Sequence, residues 1–331
     1  MVRAIKRVAF GVTGKGGVHV VSRPLYSGGT TMAQSHVIVG EGLTQAHPKV
    51  RKIGIADLQD ALARGWDDFR AMPSHAVFLC LIYPVVGFVI FRLVLGANVL
   101  PLLFPLAAGF ALLGPLAALG LYEMSRRREQ GLDVSWKHAL DVFRSPSLGA
   151  IIVLGLLLVA IFLVWIAVAQ AIYVATFGYA PAASASAPDF IRQVLTTPEG
   201  WMLTILGNGI GFLFAVLVLT LGVVSFPLLL DRDVGVAIAI LTSVRAVLAN
   251  PVTMAVWGLI VAALLLIGSL PAFFGLAVVM PVLGHATWHL YRKVVEPDGG
   301  SPKFLEPKAR AQRYAADFPA SLFPGRRKDH A

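Results

Sequence analysis

Apolar residues run together in six stretches spread along the chain, at 76–95, 99–122, 148–178, 199–230, 252–270 and 272–291. Each reaches the ~20 residues that an α-helix needs to cross the hydrocarbon core of a bilayer. Between them lie short segments with a different rhythm. Leu58, Leu62, Gly65, Trp66 and Phe69 fall on one helical face and Pro73 follows; Trp136, Ala139, Leu140 and Phe143 do the same before Pro146; Leu241, Val244 and Leu248 do so before Pro251. Spacings of three and four mark a one-sided helix. Asp57 and Asp133 are placed to cap the first two. Helices with aromatic residues on one side and charges on the other lie in the membrane interface, and proline then redirects the chain. The pattern predicts an all-α polytopic transmembrane bundle of six spans, built as three repeats of interfacial amphipathic helix plus transmembrane hairpin.

Hydrophobic residues make up 57% of the 331 residues and charged residues 14%, against about a quarter charged in soluble domains. The net charge of +10 would suit nucleic acid, but its distribution points elsewhere. Of 28 Lys and Arg, 26 fall before the first stretch, between the second and third, between the fourth and fifth, or after the sixth. Only Arg92 and Arg192 fall on the other side. The positive-inside rule then puts both termini in the cytoplasm, with membrane lipids as neighbours and no nucleic-acid partner. The single cysteine, Cys80, excludes an internal disulfide.

Residues 1–49 read as a disordered basic region, with Met32 a candidate for the true start. Residues 50–295 read as the membrane domain, and 296–331 as a flexible basic cytoplasmic tail. The GKGG at Gly14–Gly17 lacks the Gly-Lys-Ser/Thr that completes a phosphate loop and reads as chance.

Function in membrane proteins shows as ionisable groups at mid-depth. Arg92, Glu123 and Asp231 all fall near span ends. Asp67-Asp68 and Asp231-Arg232-Asp233 read as solvated charge runs or caps. Gly207 and Gly211, four apart, form a small-residue face suited to helix packing. Pro84, Pro101, Pro105, Pro115, Pro227 and Pro281 would kink their helices. His285 and His289, also four apart, point from one helical face and are weak candidates for a metal site. His75, Cys80, Glu123 and His138 lie on the same membrane side, but no acidic partner stands nearby in sequence. The alternative is an anchor belt of Trp288, His289, Tyr291, Arg292 and Lys293; with Trp66, Phe69, Trp136 and Phe143 these are the expected interfacial anchors. No catalytic motif and no cofactor motif is found.

The runs VRKIGIADLQDALARGWDDFRAMP (Val50–Pro73), GPLAALGLYEMSRRREQG (Gly114–Gly131) and MPVLGHATWHLYRKVV (Met280–Val295) resemble an uncharacterised bacterial family of integral membrane proteins, domain of unknown function 2189. The resemblance implies membrane insertion and no known chemistry. Some members carry the label of cytochrome c oxidase components. With no set of mid-membrane histidines to hold haem and copper, a catalytic oxidase subunit does not fit, and a cofactor-free associated component does. The expectation is therefore a non-enzymatic accessory, scaffold or assembly component, with other membrane-protein subunits as partners. The alternative is a transporter or lipid-handling protein with a cavity among proline-kinked helices.

Overall fold

The computed structural model describes residues 48–72, 102–178 and 187–297, apart from single positions within them, together with Val85 and Val89. The first apolar stretch apart from Val85 and Val89, with Arg92, His75 and Cys80, lies outside the described residues, as do the proposed start at Met32 and the tail beyond residue 297.

Among the described residues the protein is all-helical. Helix α1 is Ile55–Ala71, α2 Leu103–Leu112, α3 Gly114–Ala117 and α4 Leu119–Glu129. A 3₁₀ helix, Trp136–Arg144, leads into α5, Leu148–Phe177. Then follow α6 Ala187–Thr196, α7 Pro198–Gly222, α8 Ser225–Asp231, α9 Val236–Ala249, α10 Pro251–Ser269 and α11 Leu276–Val294. Among the described residues three apolar helices are long enough to cross a membrane: α5, the α7–α8 run from Pro198 to Asp231, and α10.

Proline explains where the expected spans break. Pro227 lacks an N–H and its ring crowds the carbonyl four residues earlier, at Val223. The helix stops at Gly222 and restarts at Ser225. The loosened backbone finds partners on α9 instead. Ser243 Oγ donates to the Thr220 carbonyl at 2.7 Å, and Ser225 Oγ donates to Leu221 and Ala239 carbonyls. Within the second stretch, expected as one span, a turn at Ala118 parts α3 from α4.

The three amphipathic segments differ in form. The first and third are α-helices of 17 and 14 residues, the second a 3₁₀ helix of nine. Asp57 caps α1 from inside its first turn, accepting the Gly54 N–H at 2.9 Å. Asp133 does not cap: Ser135 precedes the 3₁₀ helix, and its N–H donates to His138 Nδ1.

The core sits at one end of the bundle, where α1, α4 and α8 surround the C-terminal half of α11. Close approach depends on small residues. A Cβ on Gly65 would stand 2.6 Å from the Ala286 backbone nitrogen, and one on Gly284 would stand 2.5 Å from Leu121 Cδ1. The segment before α1 is clipped to the same end. Arg51 N–H donates to the Val294 carbonyl, and Asn250 accepts from Ile53 N–H while donating to the Arg51 carbonyl.

Candidate functional site

The most chemically dense part of the described structure is a buried polar cluster at this end. Asp68 lies on the core face of α1, in step with Ala61 and Gly65, and is 4% exposed. Ser125 continues the buried stripe of α4 after Leu121 and Tyr122, and His285 is on the packed face of α11; neither has exposed surface.

Asp68 Oδ2 accepts from Ser125 Oγ at 2.6 Å and meets His289 Nε2 at 2.8 Å, while its Oδ1 pairs with Arg128. Ser125 has one hydroxyl hydrogen, and the carboxylate takes it. Its oxygen is then left to accept from His285 Nδ1, 2.7 Å away. That assignment puts the lone pair of a neutral His285 on Nε2, which has no hydrogen-bond partner among the described residues. Burial by itself would raise the pKa of Asp68, but the hydrogen bonds from His289 and Ser125 prevail and hold it below the ordinary 3.8.

Neighbouring pairs extend the cluster. Glu123 and Arg126, one turn apart on α4, form a two-pronged buried ion pair at 2.7 and 2.8 Å. Glu129 accepts from Trp288 Nε1 and Arg292 Nε, each at 3.0 Å. Tyr291 OH donates to Asp231 at 2.6 Å. At the rim, Lys293 reaches Asp57 and Asp60 at 3.1 and 2.9 Å. Its hydrogen bond to Asp60 is the first of several that raise its pKa.

Several expectations are corrected here. The histidine pair does have an acidic partner: Asp68, distant in sequence and carried by another helix. Asp68 is not a solvated charge. Trp288 and Tyr291, expected as interfacial anchors, are each 1% exposed and packed inside, because their polar atoms find carboxylates on α4 and α8. Phe69 is buried too, and Arg292 is engaged by Glu129, whereas Trp66, Trp136 and Phe143 expose apolar surface. The two glycines of α7 part company. A Cβ on Gly211 would stand 3.0 Å from Trp165, but one on Gly207 would meet nothing within 4 Å.

The arrangement differs from a nucleophilic triad. A serine nucleophile needs a histidine that takes its proton and a carboxylate on that histidine's other nitrogen. Here the carboxylate binds the serine itself, and His285 Nε2 faces no acid. His289 presents a different nitrogen, already bound to Asp68. No group of three His, Cys, Asp or Glu among the described residues is set to hold a metal ion. What the cluster does chemically is satisfy one buried carboxylate of α1 from two other helices, α4 and α11, at once. Asp68, Ser125 and Arg128 were missed in the sequence, although Asp68 at a core position of an amphipathic stripe was a usable signal.

No curated protein and no solved structure matches the chain. A family match covers the middle of the three motifs and leaves the other two outside. Residues 103–231 match the model of the family described as a predicted integral membrane protein (DUF2189), the family that those motifs resemble.

Proposed function

We propose that this is a non-enzymatic, six-span protein of the bacterial inner membrane, with both termini in the cytoplasm, acting as an accessory, scaffold or assembly component of a larger membrane complex. The observation that carries the reading is the closure of the polar cluster. Asp68, Ser125 and His285 bind one another, are shut off from solvent, and face α1, α4 and α11 rather than a cleft. Groups arranged this way hold helices together. The long helices support the second half of the reading. In the 18-residue apolar window of each, only 28% of α5 and 22% of α10 is buried, which leaves the larger part for lipids and other subunits. Trp66, Trp136 and Phe143 are the anchors that would seat the amphipathic segments in the interface.

Affinity purification in mild detergent, followed by mass spectrometry, tests the role. Recovery of stoichiometric membrane-protein partners is the expected result; a lone monomer would count against it. Cysteines placed beyond residue 300 should resist labelling from the periplasm, and labelling there would overturn the topology.

A further inference from the structure

At the end of α5 and α7 remote from the polar cluster, the helices separate around a cavity of about 220 Å³. Trp165 and Ile172 of α5, Phe190 and Val194 of α6, and Leu203 and Gly207 of α7 line it. Of its polar neighbours, three turn to backbone: the Trp165 indole N–H donates to the Pro105 carbonyl, Thr204 Oγ to Gly200, and the Asn208 amide to Thr204. The Tyr173 hydroxyl is the exception, and the rest of the wall is largely hydrocarbon.

Local structure holds the cavity open. Phe190 of α6 packs on Tyr173 and Phe177 of α5, with ring centroids 6.5 Å apart in each case. The turn that folds α6 back onto α7 requires Gly200, where a Cβ would stand 2.4 Å from the Val194 carbonyl oxygen. Thr197 caps α7 by accepting the Gly200 N–H. Gly207 contributes the empty side, since nothing lies within 4 Å of the position its Cβ would take.

We propose that this cavity binds the hydrocarbon chain of a membrane lipid. Size argues for a chain segment. At about 30 Å³ per water-sized group, the cavity takes roughly seven methylenes, and it falls short of the roughly 300–1,000 Å³ typical of sites for compact drug-sized ligands. Position argues for lipid as the source. The cavity is not fully enclosed, and exposed apolar residues stand on both of its long helices, Leu163 and Val164 on α5 and Ile205 and Phe212 on α7. A chain can therefore enter sideways without crossing water. This site stands apart from the polar cluster that carries the scaffold reading.

The test reconstitutes the full chain into phosphatidylethanolamine–phosphatidylglycerol vesicles containing phospholipid with a diazirine in one acyl chain. Cross-links are then mapped by mass spectrometry. Expected are adducts concentrated at Trp165–Tyr173 and Leu203–Asn208, lost in Gly207→Phe, whose ring would occupy the cavity, and retained in Gly209→Phe. Gly209 is the matched control because a Cβ there also meets nothing within 4 Å, yet it does not line the cavity. Thermal midpoints of both variants in detergent establish that they fold. If Gly207→Phe does not fold, Gly207→Leu takes its place. Labelling spread evenly over the outward faces, including Leu259 and Leu266 of α10, and unchanged by filling the cavity would overturn the proposal.

Discussion

The two ends of the bundle solve the same problem in opposite ways. Around the C-terminal half of α11 two glycines are spent on contact between helices. Gly65 lets α1 reach Ala286, Gly284 lets α11 reach Leu121, and the polar groups trapped between them bind one another. Around the far ends of α5 and α7, Gly207 meets nothing, and the polar atoms retreat into their own backbone. The difference teaches that a small residue in an apolar helix has no fixed meaning. It permits close packing where another helix arrives and leaves a void where none does.

The comparison breaks hardest at Asp68. Replacing it with alanine strands Arg128 and His289, and leaves Ser125 without its acceptor, inside the packed end. Removing one partner of a buried charged pair costs about 3–5 kcal/mol; the half-exposed Arg128 puts the expected loss at the lower bound, about 3 kcal/mol. Thermal or denaturant unfolding in detergent should report it, and a change under about 1 kcal/mol would mean that the cluster is not a lock.

Gly65→Val comes next. Its side chain would meet the backbone of Ala286, which cannot rotate away, so the two helices must separate. Overpacking of this kind costs about 1–3 kcal/mol. Loss of cooperative unfolding, or release of α1 to limited proteolysis, would register the same effect.

Acid should weaken the same end more gently. The Asp68 carboxyl is held below 3.8 in the folded protein. Its contribution is therefore complete above that value and is lost as pH falls through the lower, folded one. The thermal midpoint of the wild type should fall below pH 3.8 more than that of Asp68→Asn, which has no carboxylate to protonate.

The smallest effect sharpens the contrast from the other side. Gly207→Ala fills open space and removes backbone freedom in a helix, so it should stabilise by about 0.5–1 kcal/mol. Gly211→Ala meets Trp165 at 3.0 Å and should gain less or lose. Equal midpoints for the two variants would erase the distinction between them.

Much of the fold was legible without coordinates. Long apolar runs at 148–178 and 252–270 became α5 and α10 nearly residue for residue, because chain length and hydropathy alone decide whether a segment can be one apolar helix. Proline placed a break in the fourth run, but only the structure put it between Gly222 and Ser225 and supplied Ser243 from α9 to satisfy it. The candidate site was half visible. His285 and His289 stood out by spacing, while their acid was sought among nearby positions.

Composition and periodicity by themselves determined that this is a helical membrane protein and which faces of its helices are apolar, since both properties are local along the chain. Tertiary structure decided which apolar faces meet each other, which stay exposed, and that Asp68 joins His289 across 221 positions and Ser125 across 57, with Ser125 joining His285 across a further 160. The physical reason is that helix period tells a residue's direction from its own axis and says nothing about which neighbour stands there. Tryptophan and tyrosine on α11 look alike in sequence whether they rest against lipid headgroups or against Glu129 and Asp231.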